Sequence, residues 1–89
     1  MFVDRDRKAL GQLAREADVK TQPPSFLLLV AHSLRLEEQK SARLELLRRI
    51  QSAYPADLWA NHELASELME EGQPAEAIRY YTAALALRP

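Results

Sequence analysis

An all-α fold of about five helices in one small domain is predicted by three features of the sequence. The prolines, at 23, 24, 55, 74 and 89, never fall inside a long apolar-periodic stretch. A proline within a helix costs about 3 kcal/mol but is tolerated in the first turn, so these positions mark boundaries. The stretches between them are rich in Ala, Leu, Glu and Arg, strong helix formers, with apolar residues recurring at three- and four-residue steps. No segment alternates with period two, which argues against strands.

The first helix is expected from about Asp4 to Ala17, with Leu10, Leu13, Ala14 and Ala17 on one face and Asp4 or Asp6 as N-cap. Gly11 inside it costs roughly 1 kcal/mol relative to Ala without excluding a helix. The second starts at Pro23-Pro24 and reaches about Leu36, with a stripe of Leu27, Val30, Ala31 and Leu34. After a break near Glu38, the third covers about Gln39 to Ala53, with Leu44, Leu47 and Ile50 in step and Leu46 widening the face. The fourth begins at the N-cap Asp57 and reaches Glu71, its stripe being Leu64, Ala65 and Leu68. Gly72 follows as a residue able to take the left-handed conformation. The fifth opens at Pro74 and carries Ala77, Ile78, Tyr81, Ala84 and Leu85.

Composition excludes several functions. The chain of 89 residues is 47% apolar and 28% charged, too hydrophobic for disorder and consistent with one small domain. A net charge of −1 suggests no polyanion partner, and the absence of Cys removes disulfides, thiolate zinc sites and cysteine nucleophiles. The longest apolar run, Phe26 to Ala31, is far short of the ~20 residues that span a bilayer. The N-terminal twenty residues lack the apolar core of a signal peptide, so a soluble, cytoplasmic protein is expected, with no membrane partner.

Pro55 and Pro89 each close a helix, and their spacing matches the period of about 34 residues typical of helix-turn-helix repeats. Shifting the chain by that spacing sets Val30-Ala31 on Leu64-Ala65, Leu34 on Leu68, Leu44 on Ile78 and Leu47 on Tyr81. The unit 56–89 carries Leu64-Ala65-x-x-Leu68, then Gly72, then Ala77-x-x-x-Tyr81, Ala84 and Pro89. It resembles a tetratricopeptide repeat. The resemblance implies a solenoid of antiparallel helix pairs, in which small Ala65, Ala77 and Ala84 let the helices approach while Leu64, Leu68 and Tyr81 fill between them. The family's usual Trp position is Asn61, with Trp59 two residues earlier, and its usual aromatic position is Leu68. The unit 22–55 is degenerate: Glu38, Arg43 and Ile50 stand in place of Gly72, Ala77 and Ala84. Ala42 is one residue out of phase, so an inter-helix loop longer or shorter by one residue is expected there. The segment 4–20 would pack as the second helix of a preceding repeat or as an N-terminal cap. Tyr54-Pro55-Ala56-Asp57-Leu58-Trp59 and the second helix of the clear repeat, from Ala77 to Leu85, are further similar to repeats of large bacterial proteins that carry a serine/threonine kinase domain.

Catalysis finds little support. His32 and His62 are the only side chains suited to neutral-pH proton transfer, and neither has a second His at i+4 or a carboxylate arrangement typical of a metal-ligating helix. No Gly-x-Ser-x-Gly elbow or glycine-rich phosphate loop occurs. Glu37-Glu38 and Glu70-Glu71 sit at helix ends, where carboxylates oppose the macrodipole and are read as solvated. The reading is therefore a non-enzyme with no cofactor and no metal. Arg43, Arg48 and Arg49 form the densest basic cluster, on the third helix, and are read as a solvated face rather than a nucleic-acid surface. Residues 1–55 carry ten Lys and Arg against seven acids, residues 56–89 two against six. That asymmetry permits head-to-tail association.

The function so expected is protein–protein interaction, a peptide or partner helix lying in a concave groove lined by the first helix of each repeat. The resemblance places that groove at Trp59, His62, Glu63, Ser66, Met69 and Glu70 in the clear repeat and at Leu28, Leu29, His32 and Arg35 in the weaker one. Family members that capture a C-terminal carboxylate use Lys, Asn and Arg there, whereas His62, Ser66 and Glu63 do not supply that set. Trp59 either anchors a ligand or staples neighbouring repeats. The alternatives are a cis-acting regulatory segment of a bacterial serine/threonine kinase and, weaker, a helical nucleic-acid-binding module. The chain ends directly after the fifth helix, where Ile78, Tyr81, Leu85 and Leu87 cannot all be covered by one preceding helix. A homo-oligomer through the C-terminal helix is expected.

Overall fold

The computed structural model describes residues 4–36 and 38–88, and the side chains of 8–36 and 38–88. It is all-helical over these residues: α1 is Asp4–Glu16, α2 Pro24–Leu36, α3 Lys40–Ala53, α4 Leu58–Glu70 and α5 Pro74–Ala86. The expected bounds agree to within a residue or two, because the signals that set them are local. The cap side chains Asp4 and Asp6, together with Glu37 and Pro89, lie outside the described residues.

At α4 the local signals act as expected. Asp57 Oδ1 accepts from the Ala60 amide at 2.9 Å, satisfying one of the orphan donors of the first turn. At the other end Gly72, at φ +75°, donates to Met69 O at 3.1 Å, and Gln73 N donates to Leu68 O at 2.9 Å, a Schellman closure. The end of α2 shows the same closure at the matching place in the earlier unit. Glu38 N donates to Arg35 O at 3.0 Å and Gln39 N to Leu34 O at 3.0 Å, with Glu38 held at φ 58°. Arg43 N to Gln39 O and Ala77 N to Gln73 O continue the correspondence into the next helix. The two helix pairs therefore share one register, and the loop offset expected from Ala42 does not occur. A side chain takes a left-handed conformation at Glu38 where the later unit uses glycine.

Each helix packs on its neighbour in sequence, α1 reaching α3 as well, and contact is densest between α4 and α5. The core joins Ala14 and Ala17, Leu27, Val30, Ala31 and Leu34 of α2, Leu46, Leu47 and Ile50 of α3, Leu64 and Leu68 of α4, and Ala77 of α5. Each large aliphatic side chain so buried contributes about 1.5–3 kcal/mol relative to an exposed one. Ala65, Ala77 and Ala84 are buried, as the small-residue pattern requires. A Cβ at Gly11 would meet Gln39 Oε1 at 2.8 Å, so the glycine gives the end of that flexible side chain its room.

One apolar expectation fails at the ends of the helix series and another agrees. Leu13 is 49% exposed although its spacing puts it on the inner face of α1, while Ile78 and Leu85, in a stripe that one preceding helix cannot wholly cover, are 61% and 62% exposed. An end helix meets neighbours on one side only, so its apolar stripe is wider than the surface available to cover it. Tyr81 and Leu87 are half-buried.

Candidate interaction surface

The orientation of α4 is fixed from below by polar groups. Asn61, fully buried, donates from Nδ2 to Pro55 O at 3.0 Å and Asp57 O at 2.9 Å, and its Oδ1 accepts from Gln51 Nε2 at 3.3 Å. Asn61 thus clamps the α3–α4 turn, and its own buried amide is satisfied by it. Tyr54 OH donates to Gln22 O at 2.6 Å, tying that turn to the loop before α2.

The arginine cluster corrects the solvated-face reading. Arg43 is buried and its guanidinium donates three ways: Nε to Glu67 Oε1 at 2.6 Å, Nη1 to Ala31 O at 2.9 Å and Nη2 to Glu63 Oε2 at 3.1 Å. Glu67 is likewise buried, and its Oε2 has no hydrogen-bond partner among the described residues. Arg48 pairs bidentately with Glu76 of α5 at 2.7 and 2.9 Å. The hydrogen bond with Arg48 holds the Glu76 carboxyl below its ordinary pKa and raises the Arg48 guanidinium above its own. Arg49 donates to Ala14 O at 2.8 Å and to Ala17 O, capping the C-terminal end of α1. Each arginine ties α3 to a different helix, and Arg48 and Arg49 also line one hollow with Lys20.

With α4 held this way, Trp59 and Met69 are exposed at 60% and 49%, while His62 and Ser66 are half-buried beside them. Trp59 and His62 meet edge-on with centroids 5.7 Å apart, His62 meets Tyr81 of α5 edge-on at 5.8 Å, and Ser66 Oγ lies 3.1 Å from Tyr81 OH. Tyr81, expected only as a core filler, therefore braces this surface from behind. Nothing in its spacing separates the two roles. Glu63, assigned to the groove, spends its carboxylate on Arg43 and lies 3.8 Å from His62 Nδ1.

On α2, Leu29, His32 and Arg35 are exposed, whereas Leu28 is partly buried against the core. Arg35 Nη2 reaches Glu70 Oε1 at 3.1 Å, joining the α2 and α4 residues into one surface, and Glu70 stays exposed, as its solvated reading expects. Beyond its edge, a cavity of about 290 Å³ is lined by Leu58, His62, Tyr81, Ala84, Leu85 and Arg88. Among the described residues no three His, Cys, Asp or Glu side chains cluster as a metal site, and no helix is long and apolar enough to cross a membrane. Set against known proteins, the chain matches no family model, no curated protein and no solved structure.

Proposed function

We propose that this chain is a protein-interaction module of the tetratricopeptide kind. In this reading α2 with α3 and α4 with α5 form two antiparallel helix pairs, and α2 and α4 line the face that takes a peptide or a partner helix. The register shared by the two pairs supports the architecture. The observation that carries the function is the exposure of Leu29, Trp59 and Met69 on the first helices of both pairs. Large apolar side chains grouped at a surface mark interaction sites, and Trp is the residue most often found as a binding anchor. Arg35, Glu70 and His32 supply the polar rim that fixes orientation. With Arg43, Arg48 and Arg49 each engaged by a carboxylate or a backbone carbonyl, this cluster lends the nucleic-acid alternative no support.

Peptides selected against the full chain from a displayed random library test the reading, with affinities then measured for surface variants. Trp59→Ala and Met69→Lys are each expected to weaken binding at least ~10-fold, as truncation of an anchor does. Selected peptides that bind both variants as tightly as the parent would refute the assignment of this face.

A further inference from the structure

The outer face of α5 presents a different surface. Ile78 and Leu85 lie two turns apart on one stripe and are both more than three-fifths exposed. Their counterparts one unit earlier, Leu44 and Gln51 of α3, are instead half-buried, Leu44 against the core. Beside Leu85 lies the cavity of about 290 Å³. The helix thus carries a projecting apolar side chain at Ile78 and, two turns further, a hollow.

We propose that a second copy of this chain covers this face through a two-fold, antiparallel pairing of α5 with α5. A two-fold contact uses one patch twice, so a knob and a hollow on the same helix satisfy each other across the axis. With the axis passing near Thr82, the second copy's Ile78 enters the cavity beside Leu85, and its Leu85 receives Ile78 in return. Thr82 fits the axis: it is exposed, and its hydroxyl is already satisfied by Ile78 O at 2.8 Å. Charge favours the same direction. The N-terminal approach to α5 carries the exposed Glu71, its C-terminal end carries the exposed Arg88, and among the described residues no ion pair engages either. The antiparallel pairing brings Arg88 over the second copy's small, exposed Ala75 toward its Glu71, twice per dimer, and opposite charges so placed fix register.

Sedimentation velocity on the full chain tests this. At micromolar concentration the expected species has twice the 10.1 kDa chain mass. Ile78→Glu is expected to raise the dissociation constant by more than ~10-fold, as burying an unpaired charge at an interface core does. Arg88→Glu is expected to weaken the dimer, and Arg88→Glu combined with Glu71→Arg to restore it. All these side chains are exposed, so unchanged helical circular dichroism is expected of each variant. A monomer across the micromolar range overturns the proposal, as do assemblies that grow past the dimer with concentration. Ile78→Glu leaving the mass unchanged, or a charge-reversed double variant no better than the single one, would overturn it as well. The outcome is independent of the α2–α4 face, which the Trp59 and Met69 variants probe.

Discussion

Replacing Arg43 by Met removes the one cation that faces the buried carboxylate of Glu67, to which its Nε donates at 2.6 Å. Both side chains are almost fully buried, at 3% and 2% exposure, so neither can turn to solvent when its partner is lost. The carboxylate left behind keeps its desolvation penalty without compensation, and breaking such a pair costs about 3–5 kcal/mol. The Ala31 carbonyl and the half-exposed Glu63 add little, because the first lies within a helix and the second can turn to water. A domain of this size has about 5–15 kcal/mol in all, so the variant should lose a large part of its stability. Urea unfolding followed by far-ultraviolet circular dichroism gives the loss directly. The informative comparison is Arg43→Met with Glu67→Leu, which replaces both charges by apolar groups of similar volume. That double variant should recover most of the loss, being neutral to about 1–4 kcal/mol more stable than the parent. A single variant as stable as the parent would refute the argument, and so would a double variant as damaged as the sum of the two singles, since additivity means the charges do not interact.

Three further outcomes follow from the fold. Glu38→Gly should stabilise the chain by up to about 1 kcal/mol in urea unfolding, because a left-handed side chain costs about 1–2 kcal/mol and glycine's extra unfolded-state freedom returns part of that gain. An unchanged midpoint would mean the φ of 58° is not maintained. Ala77→Leu overpacks the fully buried contact of α5 and should cost about 1–3 kcal/mol, and melts matching the parent would contradict the close approach there. For Glu76, a folded pKa below the ordinary value means its contribution is fully present above the unfolded carboxylate pKa and is lost as the pH falls through the lowered folded one. Glu76→Gln should therefore flatten part of the acid limb of urea midpoint against pH while leaving its slope near neutrality unchanged.

Where each helix begins and ends, and that the chain repeats at a spacing of about 34 residues, could be read without any knowledge of the packing, whereas the common register of the two inter-helix loops could not, because Ala42 pointed to an offset. The helix ends depend on a few neighbouring atoms: the cap at Asp57, the left-handed turn at Gly72, the prolines that admit no helix interior. Part of the surface was also legible, since Trp59 and Met69 fall off the apolar stripe of α4 and are exposed. The fate of the polar residues was settled by long-range contact instead. Arg43 falls in step with Leu46, Leu47 and Ile50 and at the place of the later unit's Ala77, so its burial was legible in the spacing, whereas its partners Glu63 and Glu67 come from the next helix and only tertiary contact supplies them. Asn61 likewise becomes a clamp only because the α3–α4 turn brings Pro55 O and Asp57 O within its reach. At α5 the sequence pattern shows an apolar stripe too wide for one preceding helix, but not which of its residues stay exposed. Periodicity records which side chains share a face, whereas burial depends on how many other helices reach that face, and α5 has dense contact with α4 alone.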